Sequence, residues 1–238
     1  MKKLGITLAV VAFAAVAAQA QTTSANIVGY VKNTSYEGLQ IFTVPFTGST
    51  TVAELFGGNV PVGTSIYAYN NDGSSAGYAS VSYTSSSGFV PGQGVVTTTN
   101  WNGTLTLESG TGYWIQIPGG SAPSESISAG EVNTSSNVVA TLYGGLNLVA
   151  NPYPVATQLS DFGFYGSANV GDTVYVYSND GTTEGYASAS YATSSGFVPG
   201  QGVVTTTNWN GSVTVDVGQG FWYQNTGSDI SWTETKNF

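Results

Sequence analysis

SIYAYNNDG at residues 65–73 and TVYVYSNDG at residues 173–181 decide the fold. In the first, Ile66 and Ala68 alternate with Tyr67 and Tyr69. That period of two sends successive side chains to opposite faces of a β-strand. Asp72-Gly73 then ends the run with residues that tolerate positive φ, a strong hairpin signal. Val174, Tyr175, Val176 and Tyr177, followed by Asp180-Gly181, repeat the arrangement 173 − 65 = 108 positions later.

An internal repeat organises the whole chain. Shifted by 108, Val62–Gly120 lies on Val170–Ser228 without a gap, and 37 of the 59 positions are identical. SSGFVPGQGVVTTTNWNG, Ser86–Gly103, recurs unchanged as Ser194–Gly211. Upstream the match is looser, as in Gly38-Leu39-Gln40-Ile41 against Gly145-Leu146-Asn147-Leu148. Two copies are too few for a solenoid, which needs about three. They suit two similar units, residues 21–128 and 129–238, with the Pro/Gly/Ser-rich PGGSAPSESIS at 118–128 as linker. Further strands are expected at Ala79–Tyr83, Val95–Thr99, Thr104–Leu107 and Tyr113–Ile117, with equivalents in the second copy. Asn102-Gly103 and Asn210-Gly211 read as further hairpin turns, and Thr51–Phe56 as one short helix capped by Thr50 or Thr51. The expected fold class is all-β: two tandem β-sandwich or barrel-like modules related by internal duplication.

Met1-Lys2-Lys3, an apolar run from Leu4 to Val16 and Ala18-Gln19-Ala20 have the order of a secretory signal peptide, residues 1–20. The run is too short for a membrane span, and no other stretch approaches ~18 apolar residues. Cleavage after Ala20 would leave Lys32 and Lys236 against thirteen acids, a net charge of 2 − 13 = −11. Nucleic acid and anionic membranes need cationic contacts, so neither is an expected partner. The chain has no Cys and no His, which removes disulfides, thiol chemistry, the common zinc sites and every His-based triad. No cofactor and no dedicated metal site is implied. Asp72 and Asp180, with Glu108 and Asp216, could offer oxygens to Ca²⁺ but lack the density of a built loop.

GLNLVANPYP at Gly145–Pro154, FVPGQGVV at Phe197–Val204 and GQGFWYQN at Gly218–Asn225 resemble the G-x-N-L-V-x-N-P-Y-P … P-G-x-G … G-x-G-F-W signatures of β-rich tandem modules in large secreted and cell-surface bacterial proteins. Module 1 carries TVPFTG, Thr43–Gly48, in place of the first signature. The resemblance implies an all-β module of adhesion-like or matrix-like setting, and it brings no catalytic residues.

The repeated Asn100-Trp101-Asn102 and Asn208-Trp209-Asn210 are the candidate ligand-binding residues. A Trp face can stack on a sugar ring while Asn amides bond its hydroxyls. The commoner use of so large an apolar group is to plug the end of a sandwich. Tyr67, Tyr69, Tyr78 and Tyr83 could form an aromatic strip, but cross-strand pairing is the simpler expectation. Glu108 with Asp72 is the pair of acids to test for glycosidase chemistry, yet duplication of the acids suits binding better than one active site. The expectation is a secreted or cell-surface non-catalytic structural or adhesion-type protein. Its partner would be itself, through edge strands that few Lys blunt, or an extracellular partner such as polysaccharide. A carbohydrate-binding protein using the Asn-Trp-Asn loops is the alternative.

Overall fold

The computed structural model describes residues 27–236, so the signal-peptide reading of residues 1–20 lies outside the described residues. Module 1 runs through β1 (Val28–Ser35), β2 (Gly38–Phe42), β3 (Ser49–Thr51), α1 (Val52–Phe56), β4 (Ser65–Asn71), β5 (Ala76–Val90), β6 (Gly94–Trp101), β7 (Thr106–Glu108), β8 (Tyr113–Ile117) and β9 (Ser124–Glu131). Module 2 follows with β10 (Asn137–Leu142), β11 (Gly145–Ala150), β12 (Thr157–Gln158), β13 (Thr173–Asn179), β14 (Glu184–Val198), β15 (Gly202–Asn210), β16 (Thr214–Val215), β17 (Gly220–Asn225) and β18 (Ile230–Thr235). The fold is all-β, and the two five-stranded antiparallel sheets correspond: β2-β8-β4-β5-β6 and β11-β17-β13-β14-β15. Two-stranded ribbons accompany each, β1-β9 and β3-β7 in the first, β10-β18 and β12-β16 in the second.

In each module one face of the sheet is closed by the ribbons and a short helical element. Ile66, Ala68, Val81, Ile115 and Ile117 point from the first sheet onto Val31, Phe46, Val52, Phe56 and Leu107. α1 starts where Thr51 and Glu54 exchange the two bonds of a capping box. In module 2 two 3-10 turns, Leu159–Asp161 and Tyr165–Ser167, bring Phe162 and Phe164 into the corresponding core. The Asn residues of GLNLVANPYP act locally: Asn147 accepts from the Tyr143 N–H and donates to its carbonyl, and Asn151 accepts from the Tyr153 N–H.

Three details differ from the sequence reading. Ser124–Ser128 is not linker: it opens β9, which pairs with β1 over its whole length, so the chain changes module between Glu131 and Asn137. Alternating Ser124, Ser126 and Ser128 are the buried side of that strand, and small polar residues hide the usual hydrophobic signal. Asn102-Gly103 is not a hairpin turn, because the following β7 pairs with β3 rather than with β6. The Asn102 carboxamide oxygen instead accepts from the Ser82 N–H at 2.8 Å and turns the chain out of the sheet. Finally, β5 and β14 are 15 residues long, far beyond the expected Ala79–Tyr83 and its equivalent.

The outer faces of the two sheets pack against each other about a pseudo-two-fold axis. Tyr69 meets Trp222 edge-on with centroids 4.9 Å apart, and Tyr177 meets Trp114 at 5.2 Å. Asn71 Nδ2 donates to the carbonyls of Gly144 and Leu146, and Asn179 Nδ2 to those of Glu37 and Leu39. Thr43 N–H donates to Gly218 O at 2.9 Å and Ala150 N–H to Gly110 O at 3.0 Å. Gly112 and Gly220 meet near the axis, where a Cβ on Gly220 would lie 2.9 Å from the Gly112 Cα. Ile41, Trp114, Leu148 and Trp222 are buried there, each worth roughly 1.5–3 kcal/mol of transfer free energy.

Candidate functional site

The alternation along β4 and β13 gives each sheet two apolar faces. One carries Ile66 and Ala68 into the module core; the other turns Tyr67 and Tyr69 toward the second module. Where the outer faces diverge they leave a cleft of ≈ 900 Å³. Its wall pairs across the axis: Leu39 with Leu146, Tyr67 with Tyr175, Tyr78 with Tyr186, Ser80 with Ser188, Trp114 with Trp222. A volume in this range is that of ligand pockets, ~300–1,000 Å³.

No charged side chain lines the cleft. The Tyr78 phenol is held above its ordinary range by burial, and the nearby Tyr69 and Tyr186 add to the effect. Burial raises Tyr186 likewise. Both rings are neutral throughout the physiological range, yet 60% and 56% of their surfaces remain exposed. Tyr67 OH donates to Gln116 Oε1 at 2.9 Å and Tyr175 OH to Gln224 Oε1 at 3.0 Å, which fixes both phenols and leaves their oxygens able to accept. The cleft therefore offers broad ring faces, hydroxyls and no charge. Cross-strand pairing is the sequence expectation for Tyr67, Tyr69, Tyr78 and Tyr83: Tyr69 does meet Tyr78 at 4.9 Å and Tyr83 lies opposite Trp101 at 5.4 Å, whereas Tyr67 stands opposite Ser80. Tyr83 belongs elsewhere, in the module core beside Trp101. The signal for the cleft was the apolar character of both faces of β4, which marks a sheet covered on both sides.

The Asn-Trp-Asn segments lie at the ends of the edge strands: Asn100 and Trp101 close β6 with Asn102 just beyond it, and Asn208, Trp209 and Asn210 close β15. Trp101 is half-buried: it packs on Phe56 and Tyr83, and its indole N–H donates to Gly57 O at 3.0 Å. Trp209 packs on Phe164, Tyr165 and Tyr191 and donates to Tyr165 O at 3.1 Å. Asn100, Asn102, Asn208 and Asn210 are exposed. Beside Trp101 there is a hollow of ≈ 450 Å³ bounded also by Asn100, Tyr83 and Gly58. The two segments sit on separate sheets and do not share one pocket.

The acids serve turns and cores. Asp72 Oδ1 accepts from the N–H groups of Ser74 and Ser75 and from the Ser74 hydroxyl, which holds its carboxyl at about 2. Asp180 repeats this with Thr182 and Thr183. Among the described residues no group of three or more His, Cys, Asp or Glu could hold a metal ion. No helix among the described residues is long and apolar enough to cross a membrane.

No known protein family matches this chain, and no curated protein and no solved structure is found similar to it.

Proposed function

We propose that this chain is an exported, cell-surface or extracellular protein of structural and adhesive character, without catalytic function, and that the inter-module cleft is its binding surface for a neutral polysaccharide. The observation that carries the reading is the wall of paired aromatic, Leu and Ser side chains with no charge among them. Sugar rings present C–H faces that stack on Tyr78 and Tyr186, and hydroxyls that match the phenols and serines. The pseudo-two-fold axis gives a linear polymer nearly the same contacts whichever end enters first. Export is supported by the charged, apolar and A-x-A order of residues 1–20, and the adhesive setting by the resemblance of the repeated motifs.

Retention in native gels cast with neutral polysaccharides tests this. The parent is expected to be retarded, and Tyr78→Ala with Tyr186→Ala is expected to abolish retardation; both positions are exposed, so the fold should hold. No retardation by any polymer, or retardation unchanged in that variant, overturns the cleft reading. The hollow beside Trp101 supports a second site at the Asn-Trp-Asn loops. Loss of retardation in Asn100→Ala with Asn208→Ala, and not in the Tyr variant, would move the binding there.

A further inference from the structure

Beyond Ser82, β5 has left β4 behind and pairs with β6 alone, from Tyr83↔Trp101 to Val90↔Gly94. β14 and β15 do the same from Tyr191↔Trp209 to Val198↔Gly202. Each ribbon projects about eight residues, roughly 26 Å at the rise of a strand, and is exposed along nearly all of it. A type II turn at Val90-Pro91-Gly92-Gln93, with Gly92 at φ 85° and a 3.0 Å bond from Gln93 N–H to Val90 O, closes the tip. Phe89 and Val95 face each other there, 74% and 72% exposed, as do Phe197 and Val203 on the second arm.

Such an arm is poorly supported by its own chain. Two strands without a third are marginal in water. Hydroxyl pairs, Ser87 with Thr97 at 2.8 Å and Ser195 with Thr205 at 2.9 Å, tie the strands to one another and leave the outer backbone edges open. Proteins commonly blunt such edges with charge. Here residues 76–107 and 185–215 contain no charged side chain at all. Gly88 and Gly196 stand within the strands, and a Cβ on either would meet nothing within 4 Å. A strand glycine with open space above it admits the close approach of another backbone.

We propose that the two arms are the surfaces through which one copy of this chain adds strands to another, so that copies join arm to arm into chains. This deepens the structural part of the function proposed above by naming its partner, and it is independent of the cleft. A second copy is the occupant for three reasons. The described residues carry thirteen acids and two lysines, so copies repel elsewhere and can meet without like-charge repulsion on the neutral arms. Backbone edges are self-complementary, and strand addition needs no further chemistry. The arms are also the part of the repeat that has not diverged: 18 of 18 positions match over Ser86–Gly103, against 37 − 18 = 19 of 59 − 18 = 41 in the rest of the aligned stretch. Phe89 and Val95 are the same in both arms although each is about three-quarters exposed and meets no buried core, which fits two arms performing one task. With two arms each, copies propagate rather than close into pairs.

Sedimentation velocity over a concentration series tests this with the full chain and two variants. One replaces Val95, Thr97, Val203 and Thr205 by Glu, placing like charges on both arms at exposed positions; the other makes only the changes at Val95 and Thr97. The parent is expected to form species larger than dimers as concentration rises, the one-arm variant to stop at a dimer, and the two-arm variant to remain monomeric with the parent's circular dichroism. In the assembled parent, amides of residues 84–100 should gain protection from hydrogen exchange that the monomeric variant lacks. A concentration-independent parent monomer overturns the proposal, and so does assembly of the two-arm variant equal to the parent's. Tyr78→Ala with Tyr186→Ala should assemble as the parent does, so failure of the cleft and failure of the arms are told apart.

Discussion

At the scale of single residues, the two modules differ most instructively at one pair of buried positions. Asp172 is fully buried and accepts from Tyr223 OH at 2.7 Å, Thr226 N–H at 2.7 Å, Asn169 N–H at 2.8 Å and the Thr226 hydroxyl at 3.0 Å. Module 1 has Thr64 and Ile115 where module 2 has Asp172 and Tyr223, so polar partners appear together or not at all. Burial and then the bond to Asp172 hold the Tyr223 phenol well above its ordinary range. Asp172→Ala should lower stability by about 2–4 kcal/mol, because a buried hydroxyl and two N–H groups lose their acceptor. Asp172→Thr together with Tyr223→Ile should cost less than the single change. Urea midpoints of the three proteins check both statements. Two other acids give opposite pH effects. Asp72, held at about 2, contributes stability that is complete above its usual 3.8 and is lost as pH falls toward 2. Glu234 is buried and its carboxyl is raised by desolvation, although Trp232 Nε1–H and Gly163 N–H donate to it. Its contribution is complete below the usual carboxylate range and is lost as pH rises through its raised value. Glu234→Gln should therefore raise the urea midpoint at neutral pH, and the gain should vanish below about pH 4.

At the scale of elements, what was legible depended on whether an element has a dry side. β4 and β13 were readable because Ile66 and Ala68 must alternate with side chains facing the other way. α1 was readable because Thr51-Val52-Ala53-Glu54 spells its own cap; Thr51→Ala should cost about 1 kcal/mol of unfolding free energy in the same urea assay. The distal halves of β5 and β14 were not readable, because Ser/Thr/Gly strands wet on both faces leave no period to see. β9 was hidden for a related reason: Ser124, Ser126 and Ser128 form the buried side of a strand paired with β1, but small polar residues leave no hydrophobic period to read. The Asn-Trp-Asn segments drew notice because they repeat, whereas the cleft escaped because its wall is gathered from strands far apart in both modules. Trp114 and Trp222 were its trace in the sequence, since each follows a core-facing aromatic, Tyr113 or Phe221, and so must turn its own ring outward.

At the scale of the whole molecule, the contact between modules is close to one that a module could make with a copy of itself. Tyr69 on Trp222 repeats as Tyr177 on Trp114, the Asn71 bonds repeat as the Asn179 bonds, and Gly112 meets its counterpart Gly220. Self-complementarity of this kind is what a two-fold homodimer uses. Module 1 alone, residues 27–132, keeps the β1-β9 pairing that closes its sandwich but exposes Ile41 and Trp114. Such a fragment, carrying Val95→Glu and Thr97→Glu to silence its arm, should be a dimer by light scattering, with Tyr69 of one copy on Trp114 of the other and Gln40 Nε2 donating to a copy's Asn71 carbonyl as it now does to that of Asn179. Adding Gly112→Ala should return it to a monomer, because each new methyl would press on the copy's facing strand as a Cβ on Gly112 now would on the Val149 carbonyl and Leu148, 3.0–3.1 Å away. A soluble monomer without that change would mean that the face depends on side chains peculiar to module 2, and that the two halves have specialised toward each other since the duplication.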